Sequence, residues 1–310
     1  MATVAPLTLS SQDCLNNRNM SPSVFDYPVF EYADTAMLHT VVGQLYPREV
    51  YVTGIHPLEG HLHSMYLLII SNGEKLLLKT PRLMTPILRQ EESLLQTEAQ
   101  AMTILEQSAI SHIPSLLHYD TQGHSLGPTF LLRRFIVGTT LQEMGAQLSD
   151  CKRKEIERTL GSLANEIAQH VSPFFGSLGQ VACGTGKRSW REAFLTLFEG
   201  ILRDSEDVFV NLPYTEIRHQ IYRLSPVLDE VTLAQLVVVD LGRPSQVLLE
   251  PATKQVSGII DLSSALWGDV YMAEIFENPS FAVLDGFGCP RTKSQSESIR
   301  HLLYVQVNAT

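Results

Sequence analysis

The stretch "SMYLLIISNGEKLLLKT", Ser64–Thr80, places an Asn-Gly pair between two apolar runs and ends the second run on a lysine. Asn72-Gly73 tolerates the positive φ of a tight turn, so the stretch is read as a β-hairpin that lifts Lys79 out of an apolar strand. Upstream, "VYVTGIHPLEGHLH" is β-rich with a bend at Gly60. Downstream, "ESLLQTEAQAMTILEQ" sets Leu94, Leu95, Met102 and Leu105 on one helical face, and "TFLLRRF" reads as a buried strand. The order is strand, strand, strand, helix, strand.

Beyond Gly138 the text turns helical. "SDCKRKEIERTLGSLANEIAQHV" carries Ile156, Leu160, Leu163, Ile167 and Val171 on one stripe behind an N-cap at Ser149 or Asp150. "SWREAFLTLFEGIL" opens on a capping box, Ser189 and Glu192, and "YTEIRHQIYRL" is a further helix. The strands "LVVVD…QVLLE" and "QVSGIID" follow, turning through "PATK", and the chain closes in helical text. No internal repeat is found. The chain divides into a polar tail over 1–22, with the fold starting near Phe25, a sheet-rich part over 23–137 and a helical part over 138–310.

With 310 residues, 44% of them hydrophobic, the chain buries a proper core. A net charge of -10 argues against a nucleic-acid partner, which demands clustered positive surface. Cys14, Cys151, Cys183 and Cys289 show no zinc or disulfide spacing. The N-terminus lacks the charged and apolar regions of a signal peptide, and no run approaches the roughly 18 apolar residues of a membrane span. A cytoplasmic chain follows, with no membrane partner and with the sequons at Asn19 and Asn308 unused.

Four residues carry the chemistry. Lys79 ends a strand among apolar neighbours. Glu98 shares the helical face of Leu94 and Met102, so it is either buried against a cation, with Lys79 the nearest candidate, or at the margin of the stripe in water. Asp240 ends "LVVVD" and Asp261 ends "VSGIID", two strands near enough in sequence to pair and turn both acids into one cleft. An acid after a strand is also a common turn cap. Paired carboxylates with a lysine from another part of the chain suit Mg²⁺ and a nucleotide triphosphate, and one acid can serve as base toward a hydroxyl.

Other signals weigh less. "GTGKRS", Gly184–Ser189, lacks the upstream glycine of a phosphate loop and reads as a turn before the Ser189 cap. His56, His61 and His63 lie close together, but alternation puts only His61 and His63 on one side of a strand, and no third ligand of suitable spacing joins them. "CKRKEIER" is a solvated helix face, Cys183 has no catalytic partner pattern, and Trp267 packs beside Asp261.

Taken in order, Lys79, Glu98, "FLLRRFIVGTTL", "VVDLGRPSQVLL" and "IIDLSSALWGD" resemble the aminoglycoside phosphotransferase family, especially its divergent fungal small-molecule-kinase branch, over roughly 50–288. The resemblance implies an α+β, bilobal protein-kinase-like fold, a small antiparallel-sheet N-lobe and a larger helical C-lobe, with ATP and Mg²⁺ as cofactors. Lys79 would meet the phosphates and pair with Glu98, and the bend at Gly60 would cover them. Backbone of Arg134, Phe135 and Ile136 would meet adenine. Asp240 would be the catalytic aspartate, Asp261 the magnesium aspartate, and Asp269 structural. Two positions depart from the family pattern. Its catalytic-loop histidine is Val238 here, and the asparagine five residues beyond the aspartate is Ser245, with Gln246 available after a one-residue shift as second metal ligand. The family also implies more helix beyond "SIRHLLYVQVNAT". The expected function is ATP- and Mg-dependent phosphotransfer to a hydroxyl of a small-molecule acceptor. The alternative is a degenerate kinase-fold protein that binds a nucleotide or metabolite or scaffolds a partner.

Overall fold

The computed structural model describes residues 35–46, 50–58, 60, 63–81, 93–108, 110–121, 129–288 and 295–308. The tail over 1–22, Phe25, Asn19, Cys14, Cys289 and His61 lie outside them.

The opening hairpin forms as the sequence predicts. Helix α1 (Thr35–Leu45) precedes strands β1 (Val52–Leu58), β2 (His63–Ile70) and β3 (Lys75–Pro81). Strands β2 and β3 pair antiparallel across a turn in which Gly73 takes φ +86°, the conformation that glycine adopts without steric cost. Helix α2 (Leu94–Glu106), β4 (Leu116–Asp120) and β5 (Phe130–Arg134) follow, and the sheet runs β1-β2-β3-β5-β4.

Period two along these strands sorts the side chains between two cores. Leu76 and Leu78 on β3 and Phe130 and Leu132 on β5 pack with Leu38, Val41 and Val42 of α1. Leu131 faces the other way and joins Leu95, Ala99, Met102 and Leu105 of α2 in a larger cluster that runs on into the helical half. Lys79 and Arg133 stand on this same inward face of their strands.

The second half begins with β6 (Thr139–Thr140), α3 (Leu141–Met144) and α4 (Asp150–Ala168), followed by β7 (Val171–Ser172), β8 (Gly176–Ser177), α5 (Leu178–Ala182), α6 (Trp190–Asp207) and α7 (Tyr214–Leu224). Next come β9 (Ala234–Val238), β10 (Val247–Leu249), β11 (Val256–Ile259), β12 (Ala265–Gly268), α8 (Phe281–Phe287) and α9 (Gln295–Asn308). Among the described residues no helix is long and apolar enough to cross a membrane.

Three local expectations need correction. Val171 is not on the α4 stripe: the helix ends at Ala168, and Val171 pairs with Gln235 in a two-strand ladder that leaves its side chain exposed. At α6 only the Ser189 half of the capping box forms, Ser189 Oγ accepting from the Glu192 N–H at 3.2 Å. The strands that end at Asp240 and near Asp261 do not pair with each other. Strand β9 lies in the sheet β7-β9-β12-β8, whereas β11 hairpins with β10 in the sheet β11-β10-β6.

The connection after β5 runs tightly over the β10–β11 hairpin because two glycines leave room. A Cβ at Gly258 would lie 2.5 Å from Ile136 Cδ1, and one at Gly138 would lie 2.7 Å from Ser257 Oγ. On the far side, Tyr304 of α9 donates to Asp269 Oδ2 at 2.7 Å and accepts from Trp190 Nε1 at 2.9 Å. The Trp190 ring rests on Gly268, where a Cβ would come within 2.7 Å of it.

Candidate active site

Lys79 is 2% exposed and its Nζ donates to Glu98 Oε2 at 2.7 Å. Glu98 is 1% exposed, so the reading at the margin in water is excluded and the acid is buried against a cation. Its other oxygen, Oε1, lies 3.4 Å from Arg133 Nε. Burial pushes the Glu98 carboxyl upward, and the two cations work against that push. Removing one partner of such a buried pair costs about 3–5 kcal/mol, because a stranded charge remains.

Lys79 Nζ also lies 3.4 Å from Asp261 Oδ2, so the lysine spans the helix α2 acid and the acid after β11. Asp261 Oδ1 accepts from the Ser263 N–H at 2.7 Å. Burial alone would raise this carboxyl. Lys79, the Ser263 hydrogen bonds and Arg133 together outweigh it and hold Asp261 at about 2.

Asp240 arrives by another route. Pairing of Ala265 with Val238 sets the start of β12 beside the end of β9. Ser264 therefore donates its hydroxyl to Asp240 Oδ1, while the Asp240 N–H points at Ser264 Oγ from 3.4 Å. The two acids meet through the short loop between β11 and β12, close enough that the charge on Asp261 raises the Asp240 carboxyl, burial being the larger cause.

The loop after Asp240 is fixed by its own backbone. The N–H of Arg243 donates to Asp240 O at 3.0 Å and that of Gln246 to Arg243 O at 2.8 Å. Gly242 takes φ +98°, and a Cβ there would meet Ile275 at 2.9 Å, so no other residue fits well. Arg243 pairs with Glu274 at 2.9 Å, and the Glu274 N–H donates to Val239 O at 2.7 Å. Val238, in place of a histidine, is buried in the apolar core.

Of the two candidates beyond Asp240, Gln246 is the one brought in: its Nε2 lies 3.4 Å from Asp240 Oδ2. Ser245 is exposed. Gly60 sits in the bend between β1 and β2, where a Cβ would lie 2.5 Å from His63 O and 3.1 Å from Met65 Cε. In the connection after β5, the Arg134 N–H donates to Ser115 O and the Phe135 N–H to Lys75 O, both at 3.0 Å. Asp269 caps the turn Val270–Met272 and holds Tyr304, remote from these groups in role. Among the described residues no group of three His, Cys, Asp or Glu side chains could hold a metal ion by itself.

Sequence reasoning missed Arg133 and Ser264. Arg133 was legible: alternation along "FLLRRF" puts it on the inward face with Leu131 and turns Arg134 outward. Ser264 had no such signal, because its contact depends on the β9–β12 register.

The profile of the phosphotransferase enzyme family matches residues 54–272. Among solved structures, a thermostable mutant of aminoglycoside phosphotransferase APH(4)-Ia in ternary complex with AMP-PNP and hygromycin B aligns with a TM-score of 0.59 at 16% identity, over 87% of this chain and 89% of that one. The GDP and kanamycin complex of APH(2")-IIIa aligns with a TM-score of 0.57 at 19% identity, over 87% and 89%. A macrolide 2'-phosphotransferase type I gives 0.53 at 16%, over 89% of each chain. These likenesses show the fold: a small antiparallel sheet with helix, joined to a larger helical body. No curated protein matches the sequence.

Proposed function

The chain belongs to the phosphotransferase enzyme family, and from that premise we propose that it transfers a phosphoryl group from ATP, with Mg²⁺, to a hydroxyl of a small-molecule acceptor. We read residues 23–137 as the nucleotide-covering lobe, 138–310 as the lobe that carries the catalytic loop and acceptor site, and the cytoplasm as its place of work. The observation that carries this reading is the convergence of Lys79, paired with Glu98, on Asp261, with Asp240 within electrostatic reach.

The donor set suits the group it would hold. Mg²⁺ takes one or two carboxylates together with phosphate oxygens, so a cage of three protein acids is not required. Asp261 is ionised at neutral pH and 24% exposed, accessible to an arriving ion. Gln246 carries an amide oxygen that could serve a cation, and its Nε2 lies 3.4 Å from Asp240 Oδ2. When bound, Mg·ATP supplies the transferable phosphoryl group and the cation that neutralises its charge.

The chain's own residues do the rest. Lys79 orients the phosphates, Glu98 holds Lys79, and Gly60 lets backbone approach closely at the covering bend. With the N–H groups of Arg134 and Phe135 engaged, an adenine edge meets the third hinge peptide, at Ile136. Asp240 takes the proton of the acceptor hydroxyl, a task helped by a carboxyl raised toward neutrality. Ser264 aims it.

The decisive experiment is ATP binding with and without Mg²⁺, for the native chain and Asp261→Ala. Mg²⁺-dependent binding lost in the variant is expected, and its absence from the native chain would sink the proposal. A second reading, binding without transfer, is favoured by Gln246 and Ser264 engaging both oxygens of Asp240 and by Val238 in the histidine position. It predicts Mg²⁺-dependent ATP binding with no ADP formed in the presence of a panel of polyhydroxylated acceptors.

A further inference from the structure

Arg133 is a buried cation that the proposed chemistry leaves unused. Its Nη2 donates to Ile260 O at 2.6 Å, one residue before Asp261, and its Nη1 donates to Arg134 O at 3.2 Å. Its Nε faces Glu98 Oε1 at 3.4 Å, and that oxygen has no hydrogen bond of its own in an interior where it reaches no solvent. Glu98 thus divides its charge: Oε2 belongs to Lys79 and Oε1 to Arg133.

The two cations differ in freedom. Lys79 is a point charge on a flexible stem that already reaches from Glu98 toward Asp261, and phosphate would draw it further. Arg133 is pinned by two carbonyls, and although burial lowers its guanidinium from the ordinary value, the charges of Glu98 and Asp261 work to keep it protonated. A lysine that left Glu98 without a second cation present would strand a buried carboxylate, the costly state of a broken pair.

We propose that Arg133 is a positioning residue: it holds Glu98 and the backbone ahead of Asp261 while Lys79 shifts to the phosphates, so that α2 stays docked through the binding cycle. This rests on the nucleotide reading above for the identity of the ligand, and the test separates the two.

The test uses full-length Lys79→Met, Arg133→Met and the double variant, with thermal unfolding and Mg·ATP binding as readouts. Each single variant is expected to fold, with Tm lower by about 5 °C. The double variant is expected to lose markedly more than the sum, because Glu98 then has no cation, and its coupling is the signature of a shared partner. In Arg133→Met, Lys79 becomes the sole partner of Glu98, so the dissociation constant for Mg·ATP rises about tenfold. Additive losses in the thermal cycle, or unchanged Mg·ATP affinity in Arg133→Met beside a native chain that binds, would overturn the role given to Arg133. Failure of the native chain to bind Mg·ATP overturns the nucleotide reading instead and leaves the thermal cycle to decide on Arg133. If Arg133→Met does not fold, Arg133→Met combined with Glu98→Met removes one charge of each sign and should fold; if that pair fails too, the arginine is ordinary packing.

Discussion

Two carboxylates, Asp240 and Asp261, lie within electrostatic reach of each other and live in opposite surroundings. Asp261 faces two cations and a backbone N–H, which hold it at about 2, whereas at Asp240 burial and the charge of Asp261 outweigh the Ser264 hydrogen bond and the Arg243 charge and push the carboxyl upward. Environments that drive two acids apart in this way assign them different work. A permanently ionised carboxylate suits a cation; a carboxylate nearer neutrality suits a proton. Under the proposed function, the comparison would give Asp261 the metal and Asp240 the proton.

The largest expected effect breaks the proton side. Asp240→Asn should lower phosphoryl transfer about 10²–10⁴-fold while Mg·ATP affinity changes little, which comparing turnover with equilibrium binding will check. Comparable losses of both would merge the two sides. On the metal side, Lys79→Ala should weaken ATP binding on the order of tenfold or more and leave the fold intact, since Arg133 still partners Glu98; circular dichroism and calorimetric titration report the two. Global unfolding would make the lysine a structural ion-pair member only.

Acid stability sharpens the contrast. Asp261 is held below its ordinary value, so it contributes stability that is fully present above about pH 4 and is lost as pH falls toward 2, worth roughly 2 kcal/mol. Asp240 has the opposite sign, its ionisation costing stability as pH rises through its raised titration. Unfolding curves of Asp261→Asn against the native chain should converge near pH 2 and diverge above pH 4. The smallest effect concerns Ser264→Ala. Losing a hydrogen bond that favours the charged acid lifts the Asp240 titration further, so the acidic limb of the pH–rate profile moves to higher pH.

Much of this was legible in the chain, for a physical reason. Lys79, Glu98, Asp240 and Asp261 each break a local pattern, a charge where period two or 3.6 calls for an apolar residue, and such breaks are read from neighbours alone. The hairpin around Asn72-Gly73 and the helices with Ser149 and Ser189 caps were equally local. What failed was pairing at a distance. The turn "PATK" marks "QVLLE" as the neighbour of "QVSGIID", and that hairpin forms, but nothing in "VSGIID" states that "LVVVD" is not also its partner; β9 pairs instead with β12 and β7. Ser264 was hidden for the same reason. Val171 was misread because an apolar residue three positions past a helix end continues the periodicity that the backbone has already abandoned.

The chain has two tryptophans, and both belong to one strand's surroundings: Trp267 lies within β12 and Trp190 rests against Gly268. Both are buried, one of them hydrogen-bonded to a tyrosine. The tryptophan emission of this protein therefore reports on β12, which connects the Asp261 loop to Asp269, and on the α6 residue packed against it, giving a built-in optical gauge of that segment without any attached dye.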